Sequence, residues 1–136
     1  AGFETTGLDL ADLALTDARK KYDSLPNLAF FPGNFLDEKP QEPYDLIFEH
    51  TLYCAIDPDR REEYARSLLN WLKPGGYFLA IHFIFPLDED GPPFGASREE
   101  IINRFDPELK LIEDWKPRHF DGRKNEEWMF LWQRIS

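Results

Sequence analysis

The chain has 136 residues, and its 26 acidic residues outnumber its 16 lysines and arginines, which gives a formal net charge of −10 at pH 7. This length suits a single domain over residues 1–136, and a hydrophobic fraction of 42% provides one core and argues against disorder. The acidic balance argues against a nucleic-acid partner, and no apolar run approaches the roughly 20 residues of a membrane span. A single cysteine, Cys54, excludes an intrachain disulfide and fits a reducing, cytoplasmic compartment.

The first part of the sequence predicts a strand, a helix and a second strand. Residues 3–8 are rich in aromatic and β-branched residues, which favours a strand. A helix then runs to about Tyr22, with Asp9 or Asp12 as its cap. Residues 28–31 are an uninterrupted apolar run ended by a Pro-Gly pair, which is typical of a strand buried on both faces.

The middle of the sequence predicts a third strand over residues 44–48 and a longer helix. Asp57 can cap this helix, which extends to Leu72 and ends at the Lys-Pro-Gly-Gly turn of residues 73–76. Its apolar residues recur at helical spacing and should face the core, while its charged residues should face water. The apolar stripe comprises Tyr64, Leu68, Leu69 and Leu72, and the charged set comprises Arg60, Arg61, Glu62, Glu63 and Arg66.

The last part predicts a long strand over residues 77–85, a loop rich in proline and glycine, and a short helix that Ser97 opens in a capping-box pattern. Residues 109–115 and 128–135 then form two strands joined by a polar turn around residues 121–123, too short a connection for anything but an antiparallel hairpin. This order of elements predicts an α/β fold, with a mainly parallel sheet and a C-terminal antiparallel hairpin.

Polar residues follow the predicted strands at their carboxyl ends, where ligands bind to parallel sheets. Asp9 could accept hydrogen bonds from both hydroxyls of a ribose, and Asn34 could accept from an adenine amino group beside the Phe35 ring. The alternatives are a helix cap for Asp9 and an ordinary turn for Asn34. Glu49, His50 and Thr51 end the third strand at the same edge.

Several segments resemble a known family. Gly7-Leu8-Asp9, Gly33-Asn34-Phe35, residues 44–48 and residues 72–76 look like class I S-adenosylmethionine-dependent methyltransferases with a Rossmann-like sheet. Residues 49–56, residues 58–61 and Gly91-Pro92-Pro93-Phe94 look like the thiopurine, thiol and halide methyltransferases of that superfamily.

The resemblance implies an enzyme that uses S-adenosylmethionine to methylate a small thiol, thiopurine or halide. The cofactor-binding residues that it implies are Asp9, Leu10, Asn34, Phe35 and Glu49, with His50 beside the reacting centre. The family usually has Asp where Asn34 stands, and its thiol and halide members often have Tyr where His50 stands. These departures predict weaker adenine recognition and leave the acceptor open.

Methyl transfer is an in-line displacement that needs alignment and water exclusion. We hypothesise that His50 or Tyr53 is catalytic, either by orienting the acceptor or by accepting its proton; a histidine that only bonds a loop is the alternative. Four apolar residues, Phe85, Pro92, Pro93 and Phe94, could wall an acceptor pocket or be ordinary loop packing. Cys54 is expected to be buried and His82 to be a hydrogen-bonded core or edge histidine, and no metal is expected because metal-ligand spacing is lacking.

The sequence starts without Met and directly in a strand, and it contains no Gly-x-Gly-x-Gly motif. We therefore expect the later part of a longer chain, without the family's first strand and glycine-rich turn, that folds poorly and binds the cofactor weakly alone; a processed start is the alternative. A catalytically inactive nucleoside-binding module and an NAD-dependent oxidoreductase are the competing functions.

Overall fold

The structure is a computed structural model that describes residues 2–87, 90–118 and 126–135. The chain divides into two compact units, residues 1–39 and residues 40–136, so that the expected single domain stays a prediction. The order of helices and strands is the predicted one, and the turn predicted around residues 121–123 lies outside the described residues. Within the described residues, no helix is both long enough and apolar enough to cross a membrane.

The first unit is a two-stranded parallel sheet with one helix. It contains β1 (Thr5–Asp9), α1 (Asp12–Tyr22) and β2 (Leu28–Pro32), and α1 packs against β2 through the buried side chain of Leu15. The prediction that the second strand is buried on both faces is wrong, because Phe31 is 55% exposed. A helix covers one face of a sheet, and alternate side chains of β2 therefore point away from α1.

The second unit is a four-stranded sheet with two helices. Its strands are β3 (Tyr44–His50), β4 (Leu72–Phe83), β5 (Leu109–Trp115) and β6 (Glu127–Arg134), in the order β3-β4-β6-β5. β3 and β4 are parallel, while β6 runs antiparallel to both β4 and β5, which confirms the C-terminal hairpin.

The helices of the second unit are α2 (Arg61–Trp71), which a 3₁₀ turn over Pro58–Arg60 precedes, and α3 (Arg98–Phe105). The Asp57 side chain caps the 3₁₀ turn by accepting from the Asp59 N–H, and the Ser97 hydroxyl accepts from the Glu100 N–H as the capping box predicts. The Lys-Pro-Gly-Gly segment lies inside β4, which starts five residues earlier than predicted. The β3–β4 register shifts beside this segment, where Gly75 has a φ of +79°.

The core of the second unit lies between one face of the sheet and the two helices. Its fully buried residues include Tyr64, Leu68, Phe78, Ala80, Ile101, Phe105, Phe130 and Trp132. Arg61 also belongs to this core, with 1% of its surface exposed, and the prediction that it faces water is therefore wrong. Its guanidinium is retained there because it donates to Glu100 and to the carbonyls of Phe94 and Gly95.

Candidate functional site

In the first unit, the polar residues predicted at the strand ends lie close together. β1 and β2 are parallel neighbours in which Asp9 pairs with Pro32, and the Gly33 N–H donates to the Asp9 carbonyl over 3.0 Å. Asn34 follows directly. The carboxylate of residue 9 and the amide of residue 34 therefore belong to adjacent strand ends, as the sequence predicts.

Both side chains also make local contacts. The prediction that Asp9 or Asp12 caps the first helix is wrong, because the N-cap residue of α1 is Ala11 and no side chain caps it. Asp9 Oδ1 accepts from the Ala11 N–H over 2.9 Å in the turn before α1. Asn34 Oδ1 accepts from the Leu36 N–H over 2.9 Å, and its Nδ2 donates to Asp37 over 2.7 Å. These contacts fix the orientation of both groups. Beside them, Leu10 is 66% exposed and offers an apolar surface that a planar base could cover.

In the second unit, Glu49 holds the turn that follows β3. It is 6% exposed, and its Oε1 accepts from the Tyr53 N–H over 2.9 Å and from the Tyr64 hydroxyl over 3.0 Å. Burial raises the pKa of Glu49 from 4.5 to about 7, although the hydrogen bonds from Tyr53 and Tyr64 act in the opposite direction. Glu49 therefore links the turn after β3, through Tyr53, to α2, through Tyr64.

His50 lies next to Glu49 in β3, and its side chain is about one-third exposed. Its Nε2 is 2.8 Å from Oε2 of Glu127, a buried residue at the start of β6. Thr51 follows with a φ of 70°, a left-handed conformation that β-branched residues rarely adopt and that commonly marks functional sites. The end of β3 therefore combines a carboxylate–histidine pair with a strained residue.

The Tyr53 side chain is 2% exposed and packs edge-on against the rings of Tyr64 and His82. Its hydroxyl donates to Glu100 over 3.2 Å, and the Arg61 guanidinium lies 4.6 Å from its ring centre. Burial and the Glu100 carboxylate raise the pKa of Tyr53 above its ordinary value, which makes its hydroxyl a poor proton acceptor at neutral pH. These contacts indicate that the buried Tyr53 side chain supports the turn from the core side.

Arg61 joins two segments of the loops around this turn. Its Nη2 donates to the carbonyls of Phe94 and Gly95 over 3.1 and 2.9 Å, and its Nη1 donates to Glu100 over 3.2 Å. The Phe94 N–H in turn donates to the Cys54 carbonyl over 2.7 Å. The spacing between residues 53–55 and residues 92–95 is therefore fixed by hydrogen bonds.

An apolar cavity of about 320 Å³ opens between these two segments and β4. It is lined by Thr51, Cys54, Ala55, Phe83, Pro92 and Pro93. None of the six is charged, and the volume is in the range of small-molecule sites. Of the four predicted wall residues, the two prolines line the cavity, while Phe85 and Phe94 are not among its described lining residues. Cys54 is buried, as predicted.

Sequence reasoning missed two residues of this region, Arg61 and Glu127. A signal existed for Arg61, because it precedes Tyr64 and Leu68 by three and seven residues and so shares their face of α2. Glu127 is 77 positions from His50 in the chain, and no local pattern links them. In the part of the chain that the structure describes, no group of three or more His, Cys, Asp or Glu side chains could hold a metal ion.

The fold is that of solved S-adenosylmethionine-dependent methyltransferases. The N-methyltransferase NodS of Bradyrhizobium japonicum WM9, solved with S-adenosyl-L-homocysteine, superposes with a TM-score of 0.79 over 96% of this chain and 66% of that chain, at 15% identity. The family model for thiopurine S-methyltransferase matches residues 2–129. The chain belongs to the thiopurine S-methyltransferase family.

Two curated relatives of the chain are also methyltransferases. Thiocyanate methyltransferase 1 of Arabidopsis thaliana is 30% identical over 138 residues, and thiocyanate methyltransferase 1 of Brassica oleracea is 29% identical over 136 residues. Each alignment covers 96% of this chain and 60% of the relative, so the chain spans less than two thirds of their length. The predicted fold class and family are confirmed, and the NAD-dependent oxidoreductase is not favoured.

Proposed function

We propose that this protein transfers a methyl group from S-adenosylmethionine to a small thiol-type acceptor. The observation that carries the proposal is the uncharged cavity of about 320 Å³ beside the His50 end of β3. Such a lining suits a small, polarisable sulfur compound, because it offers apolar contact without demanding a countercharge. The family of the chain supports the reaction class.

The first unit supplies groups that fit the nucleoside of this cofactor. We propose that the exposed Asp9 carboxylate accepts from the ribose hydroxyls, while Leu10 and Phe35 flank the adenine. The Asn34 amide oxygen already accepts from Leu36 but has a second lone pair for the adenine amino group. Glu49 belongs to the second unit, where its Oε1 holds the turn after β3 by accepting from Tyr53 and Tyr64.

S-adenosylmethionine supplies an electrophilic methyl group when it is bound. The chain's own residues then have two tasks, which are to align the acceptor and to remove its proton. The cavity walls hold the acceptor by apolar contact, and their spacing is fixed by the bonds of Arg61 to the carbonyls of Phe94 and Gly95 and by the Phe94 N–H bond to the Cys54 carbonyl. His50 lies at this edge with an imidazole that can accept the proton of a thiol. Tyr53 acts as a positioning residue, through Glu100 and Arg61.

The choice of acceptor gives a direct test of the role of His50. An alkyl thiol must lose a proton before or during transfer, whereas iodide and thiocyanate carry none. In the full-length protein, His50→Gln should lower kcat for an alkyl thiol by about 100-fold and change kcat for iodide far less. Equal losses with both acceptors, or no loss with the thiol, would remove His50 from proton transfer.

A second variant tests the cavity. Ala55 is exposed at the cavity wall, so that Ala55→Phe fills the space without overpacking the core. This variant should raise the KM for the thiol and leave the Kd for S-adenosylhomocysteine, measured by titration calorimetry, unchanged. Ala14→Phe, at an exposed position of α1, is the matched control for added size. An unchanged KM in Ala55→Phe would place the acceptor elsewhere.

A further inference from the structure

The contact between His50 and Glu127 links two strands that are not neighbours in the sheet. β4 lies between β3 and β6, and the two side chains still approach to 2.8 Å between Nε2 and Oε2. Glu127 is 6% exposed, whereas about one third of the His50 side chain is open to solvent. The pair thus has one buried member and one accessible member.

We infer that Glu127 is a positioning residue that leaves Nδ1 of His50 as its proton-accepting atom. A carboxylate offers only acceptor oxygens, so the His50 nitrogen that faces it must carry a hydrogen. In the neutral imidazole the other nitrogen, Nδ1, is then unprotonated. The same contact fixes the ring's orientation, as a carboxylate partner does for catalytic histidines generally.

This inference rests on the proposed function, in which His50 takes the acceptor's proton. The S–H bond of the thiol breaks with its electron pair kept on sulfur, and the proton passes to Nδ1. The sulfur then forms its bond to the methyl carbon as the carbon–sulfonium bond breaks, which leaves S-adenosylhomocysteine and the methyl thioether. The hydrogen on Nε2 stays shared with Glu127 throughout, and the imidazolium later releases the Nδ1 proton to solvent.

The tautomer of His50 can be read without any activity measurement. The chain has three histidines, and selective ¹⁵N-histidine labelling of the full-length protein, with His50→Gln to assign the signal, resolves His50 in a long-range ¹H–¹⁵N spectrum. We expect a protonated Nε2 and an unprotonated Nδ1 at a pH where the ring is neutral, with slow exchange of the Nε2 proton. The slow exchange should be lost in Glu127→Ala. A protonated Nδ1 in the unmodified protein would overturn the inference.

Kinetics provide the second measurement. Glu127→Gln should lower kcat for an alkyl thiol about tenfold, with little change in KM or in kcat for iodide. Glu127→Asp should recover part of this loss. Glu126→Gln alters the exposed neighbour and should change neither rate. An equal fall in both rates would make Glu127 a merely structural residue and overturn its role. If kcat for the thiol falls in His50→Gln but not in Glu127→Gln, only the positioning role of Glu127 is overturned. If kcat for the thiol is unchanged in His50→Gln, the proposed function of His50 is overturned as well.

Discussion

The buried carboxyl of Glu49 should make the protein less stable as the pH rises through neutrality. Burial raises the pKa of this group to about 7 in the folded protein, while an unfolded chain leaves it near 4.5. Between these two values the folded protein holds a proton that the unfolded chain has released. The contribution of Glu49 to the free energy of unfolding therefore falls as the pH increases from about 4.5 to 7 and stays low above it.

The size of the effect follows from the two pKa values. Between pH 5 and pH 8, a shift from 4.5 to about 7 corresponds to about 2–3 kcal/mol of lost stability from this one group. Glu49→Gln replaces the carboxyl with an amide that cannot ionise and whose oxygen can still accept from Tyr53 and Tyr64. The variant should therefore lack this part of the pH dependence, whatever constant change in stability the amide nitrogen brings.

Urea unfolding followed by tryptophan fluorescence, at several pH values from 5 to 8, measures this difference. The unmodified protein should lose about 2–3 kcal/mol more than Glu49→Gln over this range. Glu113→Gln, at an exposed position of β5, is the matched control and should follow the curve of the unmodified protein. Parallel curves for the unmodified protein and Glu49→Gln would refute the reasoning, because the carboxyl would then titrate alike in both states.

Three further predictions concern stability. Burial, with a smaller effect of Arg61, lowers the pKa of His82 to about 3. On acidification from pH 8 to 5, the unmodified protein should therefore lose about 2 kcal/mol of stability more than His82→Phe. Parallel plots of unfolding free energy against pH, measured with urea, would contradict this. Ser97→Ala should lower the free energy of unfolding by about 1 kcal/mol and Ser97→Thr by less, since the hydroxyl caps α3; equal losses would exclude the cap. Gly75→Ala should cost about 1 kcal/mol through its φ of +79° alone, because no atom lies within 4 Å of the added carbon; an unchanged urea midpoint would contradict it.

Local signals in the sequence predicted the elements well. The hairpin strand over residues 109–115 has the predicted bounds, and the Ser97 cap forms with the expected partner, because both depend on residues a few positions apart. The strand ends that carry Asp9 and Asn34 are neighbours for a similar reason, since parallel pairing brings carboxyl ends to one edge. Hydrophobic periodicity and turn-forming residues are enough to predict features that depend on residues a few positions apart in the sequence.

The errors arose where burial depends on distant partners. Arg61 was assigned to water because of its charge, although its helical position shared the face of Tyr64 and Leu68. Its partners are the carbonyls of residues 94 and 95, in a later loop, and Glu100, in α3, and the sequence does not reveal the path of the chain that brings them to Arg61. Where residue type and helical position disagree, an arginine can follow its helical position when its terminal nitrogens find acceptors, as Nη1 and Nη2 of Arg61 do.

A cluster of buried polar groups beside an apolar cavity is costly for a unit of this size, and the contacts show what the cluster achieves. Glu49 and Arg61 each bind backbone groups of the segments that wall the cavity, Glu49 through the Tyr53 N–H and Arg61 through the carbonyls of Phe94 and Gly95. Apolar packing alone would hold these irregular segments less precisely, because it has no directional component. A reaction that depends on alignment benefits from such fixed walls. The burial of these two ionisable side chains therefore follows from the need to hold the walls of the acceptor cavity in fixed positions.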